Sequence, residues 1–375
     1  MSDVPEFTMQ RSSRDADAMA VAVTSWLADR LPAGADPKVK LSGASDANGM
    51  SSETVLASID WREDGTQRHG DFVMRIAPSR DDLPVFAEYE LGDQFKVLEI
   101  VHQRTEVPVP EPSWLEPTGD VIGSPFFFMN RIDGVIPPDV MPYTFGENWL
   151  FDAPREQQEQ LQTSTIRAVA ELHAIPNPTQ VFDFLDSPGE GTALRRHLDH
   201  TLAWYEYAVD GPSGTKMRSA LADRAFAWLE ANLPETDEAV LSWGDARIGN
   251  VIYQDFEPAA VIDWEMVSLG PRELDLAWMA FAHEVFQGIA NTFELPGLPE
   301  FLRPEDIAAT YRDITGITVG DLTWYRVYAA AQWGIVFLRT GMRQFHFGEI
   351  EEPQSADALM HHSAVFEKIL NEVGA

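Results

Sequence analysis

The chain has 375 residues, 45% of them hydrophobic and 11% aromatic, which is ample for a packed core and too much for wholesale disorder. Sixty Asp and Glu against 27 Lys and Arg leave a net charge of −33, and a surface this acidic argues against nucleic-acid and membrane-surface partners. Cysteine is absent, which removes disulfides, thiolate nucleophiles and cysteine-ligated metal sites. The length predicts two domains or one large two-lobed unit. The first 20 residues lack a signal-peptide core, and the longest plainly apolar stretch, Tyr328–Leu338, is far below the roughly 18 residues of a spanning helix. A cytoplasmic protein is expected.

In chain order, Asp15–Leu31 has the apolar spacing of an amphipathic helix, stopped by Pro32. A Gly/Ser/Asn-rich turn at Ser45–Ser52 separates the β-prone runs Val39–Leu41 and Thr54–Trp61. Asp64-Gly65 then leads to a further run, Asp71–Ile76. Glu88–His102 reads as a helix ended by Val107-Pro108-Val109-Pro110, and Ser113–Glu116 and Pro125–Ile132 read as strands. Beyond Gly134 the texture is helical, including Glu156–His173, Leu194–Val209, Lys216–Asn232, Asp321–Gln344 and Ala356–Glu372. One island, Val240–Leu269, interrupts these helices with two short apolar runs, Val251–Tyr253 and Ala259–Ile262. The pattern predicts an N-terminal extension with a helix over 1–34, a small β-rich domain over 35–132 and a larger, mainly helical domain over 133–375.

The chemistry concentrates in the island, in Trp243-Gly244-Asp245-Ala246-Arg247-Ile248-Gly249-Asn250 and Ile262-Asp263-Trp264-Glu265. A carboxylate on a glycine-flanked loop, a carboxamide five residues later and a second carboxylate at a strand end suit phosphoryl transfer. That reaction needs a carboxylate to accept the proton of an attacking hydroxyl, and oxygen ligands to hold magnesium against phosphates. Asp245 suits the first task, Asn250 and Asp263 the second, brought together if the two short runs pair as a hairpin. Each Asp alone could equally cap a turn or a strand end. Arg247 either offsets charge developing on a transferring phosphate or pairs with Glu265 or Asp263.

These motifs, with Leu269-Gly270-Pro271 and Asp275-Leu276-Ala277-Trp278, resemble the aminoglycoside phosphotransferase family, most of all its actinobacterial members and more distantly the kinase-like domains fused to some acyl-CoA dehydrogenases. The resemblance extends over roughly residues 35 to 345. It implies an α+β, bilobed protein-kinase-like fold with a small β-rich N-lobe and a larger, mainly helical C-lobe. It also implies Asp245 as catalytic base, Asn250 and Asp263 as magnesium ligands, and Asp275 as a structural carboxylate steadying the loop. One departure stands out: the family usually has His before Gly-Asp, and this chain has Trp243, whose N–H should seek a carbonyl.

On the nucleotide side, the resemblance calls for a cation on a strand to grip the α- and β-phosphates. Only Lys38, Lys40, Lys96, Lys216 and Lys368 are lysines, and none falls on the required strand, so Arg75 is assigned the task. Its usual glutamate partner has no clear counterpart, with Gln94 near that place and Glu90 one turn earlier. Gly49, Ser51 and Ser52 match the family's short phosphate loop. Phe126–Gly134 matches the hinge strand, with Met129 behind the adenine and the backbones of Asn130 and Ile132 bonding it. No Gly-x-x-x-x-Gly-Lys-Ser/Thr run occurs, which excludes a P-loop NTPase.

The reading is an ATP-dependent phosphotransferase, with GTP as the alternative nucleotide and Mg2+ as cofactor, acting on a hydroxyl of a small molecule such as an aminoglycoside. A hydroxyacyl-CoA, an amino alcohol or a sugar remain as acceptors, and a nucleotide-binding pseudokinase is the rival from another class. Pro137–Pro154 is expected to be an insertion over the acceptor mouth.

Overall fold

The computed structural model describes residues 14–42, 53–139, 141–211 and 216–375. The expected phosphate-loop residues Gly49, Ser51 and Ser52 therefore lie outside the described residues. Contacts divide the chain into two units, one formed by Met1–Pro84, Tyr89–Phe95 and Glu111–Arg131, the other by Val85–Glu88, Lys96–Pro110 and Ile132–Ala375.

The first unit begins with α1 (Ala16–Ala28), whose N-cap Asp15 accepts from the N–H groups of Asp17 and Ala18. There follow β1 (Lys38–Ser42), β2 (Glu53–Glu63), β3 (Thr66–Ile76), the helix α2 (Leu91–Arg104), β4 (Pro112–Glu116) and β5 (Phe126–Asn130). The five strands form one antiparallel sheet in the order β1-β2-β3-β5-β4. Alternation buries one face: Val55, Ala57 and Ile59 on β2, with Phe72, Met74 and Ile76 on β3. Met19, Val23, Trp26 and Leu27 of α1 pack on that cluster with Phe126 and Phe128.

β3 begins five residues before the expected Asp71. Its first four residues are exposed, so both faces are polar there and no alternation reveals the strand. Asp64 and Gly65 make the connection, both with positive φ (51° and 76°), as a two-residue primed hairpin turn requires.

The second unit contains α3 (Arg155–His173), the short α4 (Pro178–Val181), α5 (Ala193–Val209) and α6 (Ala220–Ala231). Then come β6 (Val240–Ser242), β7 (Val251–Gln254), β8 (Glu257–Val261) and β9 (Ser268–Gly270), followed by α7 (Glu273–Thr292), α8 (Pro304–Thr315), α9 (Thr323–His346) and α10 (Ser363–Val373). The almost wholly buried face of α9 packs against α5, α6, α7 and α10. Two expected helix boundaries move. α6 starts at Ala220 rather than Lys216, because Ser219 caps it by accepting from the Ala222 N–H at 2.9 Å. The expected helix Ala356–Glu372 divides into a 3-10 turn at Ala356–Leu359 and α10. No helix among the described residues is long and apolar enough to cross a membrane.

Burial of histidine makes this core acid-sensitive. His362 is 1% exposed and packed among Phe281, Trp333 and Phe366. Burial pulls its pKa from 6.5 to about 4, although its Nε2–H donates to the Ala330 carbonyl. A histidine kept neutral by the fold contributes stability that is complete above pH 6.5 and is lost as pH falls toward 4, because the unfolded chain then binds more protons. Urea denaturation at pH 7 and pH 4.5 should show His362→Phe losing about 2 kcal/mol less than the wild type over that interval. Equal losses would place the acid sensitivity elsewhere.

Candidate active site

The island forms two small antiparallel pairs. β6 joins β9 in register Leu241↔Leu269, and β7 joins β8 in register Val251↔Val261. The loop Trp243–Arg247 and a 3-10 turn at Ile248–Asn250 connect β6 to β7. Gly244 has φ +89°, and a side chain there would press into the Met266 carbonyl, so glycine is required.

Asp275, in the first turn of α7, holds this loop. Its carboxylate is fully buried and accepts four hydrogen bonds. Oδ1 takes Ser242 Oγ at 2.8 Å and the Gly244 N–H at 2.9 Å, and Oδ2 takes the Trp243 N–H at 2.8 Å and His173 Nε2 at 3.0 Å. The far side of the His173 ring meets the Tyr311 hydroxyl at 3.1 Å, which also receives Arg272 Nη1 at 2.7 Å. Every lone-pair direction of a buried charge is thus occupied.

Trp243 finds its carbonyl. Its Nε1–H is shared between the Ile262 and Asp263 oxygens at 3.0 and 3.1 Å. Asp263 has φ +60°, a left-handed conformation that costs a non-glycine residue, and the indole pins the backbone where that conformation occurs. The hairpin brings Asn250 and Asp263 together, for the Ile262 N–H donates to the Asn250 carbonyl at 3.0 Å. The buried Asn250 amide donates from Nδ2 to the Asp245 carbonyl at 3.2 Å, leaving Oδ1 as its remaining metal-type donor.

Asp245 has a divided environment. Oδ1 accepts from Trp278 Nε1 at 2.7 Å and from Arg247 Nε at 3.0 Å, while among the described residues Oδ2 has only a longer contact, 3.3 Å, to that same Nε. Arg247 also pairs through Nη1 with Asp139 Oδ2. Burial alone would lower the Arg247 pKa, yet the carboxylates of Asp139, Asp245 and Asp263 drive it upward. This guanidinium is always charged. Asp139 is a partner that nothing in the sequence suggested.

In the first unit, Arg75 lies on β3 opposite Thr54 and Phe127. It is only 9% exposed, and Nη1 donates to Thr54 Oγ1 at 3.2 Å. The side chain is therefore buried on its strand rather than solvated. Gln94 on α2 is also buried, at 6% exposure, while Glu90 precedes the helix and is exposed. Met129 and Asn130 end β5. The Asn130 N–H already donates to the Glu111 carbonyl at 2.9 Å. Ile132 belongs to the second unit.

The family model described as "Phosphotransferase enzyme family" matches residues 49–308. The chain belongs to the phosphotransferase enzyme family. Among curated relatives of this family member, the Arabidopsis thaliana protein named probable acyl-CoA dehydrogenase IBR3 is 26% identical over 219 residues, covering 55% of this chain and 25% of that protein. Acyl-CoA dehydrogenase family member 11 of Pongo abelii is 23% identical over 325 residues, covering 80% and 38%. The phosphotransferase chain therefore spans about a quarter to two-fifths of the length of these relatives. A solved protein of Ralstonia eutropha assigned as an aminoglycoside phosphotransferase superposes with a TM-score of 0.62 at 18% identity, covering 93% of this chain and 98% of that one. Aminoglycoside phosphotransferase APH(4)-Ia, in ternary complex with ADP and hygromycin B, gives 0.53 at 14% identity, covering 94% and 99%. These two likenesses are of fold, the α+β kinase-like fold that the motifs implied.

Sequence reasoning missed three residues around this phosphotransferase loop. Trp278 was within reach of it, since it lies three residues after Asp275 on α7, a spacing that shares a helix face. His173 and Asp139 gave no signal, because each arrives from more than 70 residues away. Truncating Asp275 to Ala would strand the buried Trp243 and Gly244 N–H groups, at about 1–3 kcal/mol each. Asp275→Ala should lose at least about 3 kcal/mol in urea denaturation, and Trp243→Phe, which frees two partly satisfied carbonyls, about 1 kcal/mol. An Asp275→Ala variant as stable as the wild type would remove Asp275 from the centre of this account.

Proposed function

We propose that the protein transfers the γ-phosphate of ATP to a hydroxyl group of a small molecule, with Asp245 as the base. The observation that carries this reading is the asymmetry at Asp245. Trp278 and Arg247 fix Oδ1, which leaves Oδ2 the less engaged oxygen. Oδ2 would accept the acceptor's hydroxyl proton as that oxygen bonds to the γ-phosphorus and the bond to the ADP oxygen breaks.

Asn250 Oδ1 and the Asp263 carboxylate fit magnesium, a hard cation that takes oxygen ligands and uses one or two protein groups alongside phosphates and water. When bound there, it would neutralise charge on the phosphates. Arg247 offsets charge as the phosphoryl group moves. We assign nucleotide binding to Arg75, Met129, the Asn130 carbonyl and Ile132, with Gly49, Ser51 and Ser52 as the phosphate loop. Arginine at position 75 grips phosphate as a planar fork rather than as a point charge. GTP is the alternative donor, in keeping with a solved aminoglycoside 2'-phosphotransferase bound to GDP, whose TM-score is 0.54 at 15% identity.

Two acceptor classes have specific support. The neighbour bound to hygromycin B favours an aminoglycoside, and the acyl-CoA dehydrogenase relatives favour a hydroxyacyl-CoA. An ADP-release screen should include both, with amino alcohols and sugars. One class should raise ADP release, and Asp245→Asn should reduce that rate by about 100-fold or more. Nucleotide binding with no acceptor-dependent release beyond the Asp245→Asn level would favour a pseudokinase. Arg75→Ala should weaken ATP binding about tenfold in calorimetry, the loss of one charge-assisted contact; unchanged affinity would move the phosphate-gripping cation elsewhere.

A further inference from the structure

The proposed base shares its arginine with a second carboxylate, and this sharing has a geometric consequence. A guanidinium facing a single carboxylate normally closes on it with two parallel N–H bonds, one to each oxygen. Arg247 does not close on Asp245 in this way. Only its Nε reaches Asp245, at 3.0 Å from Oδ1 and 3.3 Å from Oδ2, and its Nη1 end is drawn to Asp139. Gly249 leaves room for the arrangement: a Cβ there would stand 2.5 Å from Arg247 Nη1 and 2.6 Å from Asp139 Oδ1.

Asp139 is delivered by a stiff arm. Pro137 and Pro138 precede it, which fixes two backbone φ angles. The arm is tied on both sides within the second unit. The Val135 backbone pairs with Tyr253, and the Ile136 carbonyl accepts from Trp149 Nε1 at 3.3 Å. The Pro138 carbonyl accepts from the N–H of buried Tyr143, whose hydroxyl meets His283 Nδ1 at 3.0 Å. Asp139 Oδ1, shielded from solvent, has no hydrogen-bond partner among the described residues. A carboxylate oxygen held dry without a donor is costly, and the ion pair formed by Oδ2 is the interaction that offsets it.

We propose that Asp139 is a positioning residue that acts through Arg247: by holding the Nη1 end of the guanidinium, it keeps Arg247 from placing a second nitrogen on Asp245 and leaves Oδ2 the less engaged oxygen, available to the acceptor hydroxyl. The proposal rests on Asp245 being the base. It deepens that reading by giving a task to the segment before Pro154, which the sequence assigned only to the acceptor mouth.

The test has two arms. A crystal structure of Asp139→Asn should show Arg247 turned onto Asp245 with two nitrogens, one on each oxygen; Arg247 unmoved would overturn the proposal whether or not an acceptor is known. In the ADP-release assay, Asp139→Asn should lower kcat about 10- to 100-fold with KM for ATP within about twofold, and Asp139→Glu should recover part of the loss. In an Arg247→Ala background the same Asp139→Asn change should alter kcat by less than about twofold, because the residue it acts through is gone. Independent, additive losses would mean that Asp139 acts by another route, and the proposal fails. Thermal unfolding of each variant separates these effects from misfolding. Asp245→Asn provides the control: if it keeps the wild-type rate, the base assignment fails, whereas an inactive Asp245→Asn beside a fully active Asp139→Asn sinks this proposal alone.

Discussion

The loop geometry hangs on one buried carboxylate. Asp275 has no exposure to water, and an ionised carboxylate in that position is tolerable only when its oxygens are saturated with donors. The donors are the backbone N–H groups of Trp243 and Gly244, the Ser242 hydroxyl and His173. Two of the four are backbone groups of the residues immediately before Asp245. The requirement to satisfy Asp275 therefore fixes the path of the chain into Asp245, and α7 supplies both this anchor and Trp278, which grips Asp245 itself. A displacement of α7 would move both ends of the arrangement together, so Asp245 and its support stay in register.

Around that anchor the charges are unbalanced in a telling way. Asp139, Asp245 and Asp263 all act on Arg247 and raise its pKa, so three carboxylates share one guanidinium. A site with that surplus of negative charge is poorly suited to hold a nucleotide triphosphate by itself, since the phosphates would add to the repulsion. Such a surplus would favour a bound cation. Asn250 Oδ1 and the Asp263 carboxylate are hard oxygen donors of the kind such a cation takes. The net charge of −33 has local content here, where three carboxylates act on one guanidinium.

Legibility followed the range of the interactions. The hairpin that unites Asn250 with Asp263 was readable because both strands and their turn lie within a single short stretch, and pairing forces the juxtaposition. The tryptophan replacing the family's histidine could be expected to seek a carbonyl because a buried indole N–H needs one; which carbonyls, those of Ile262 and Asp263, followed only from the fold. The alternating core of the sheet was legible in β2 and in the end of β3, and illegible at its exposed start, where burial imposes no pattern. Asp139 and His173 were beyond reach, because an aspartate after two prolines and a histidine near a helix end carry no local mark of a partner more than 100 residues away.

The scarcity of lysine joins composition to site. Five lysines occur in the chain and none lies on β3, where Arg75 is 9% exposed. A buried lysine readily loses its proton, because its compact ammonium is strongly hydrated and desolvation lowers its pKa. A guanidinium is more weakly hydrated and stays charged, so burying the cation on this strand favours arginine on physical grounds alone. The Thr54 hydroxyl accepts one of its N–H groups. In such a setting the exchange of lysine for arginine preserves a permanent positive charge on the strand while changing its shape, from a point that can approach one phosphate oxygen to a plane that can engage two.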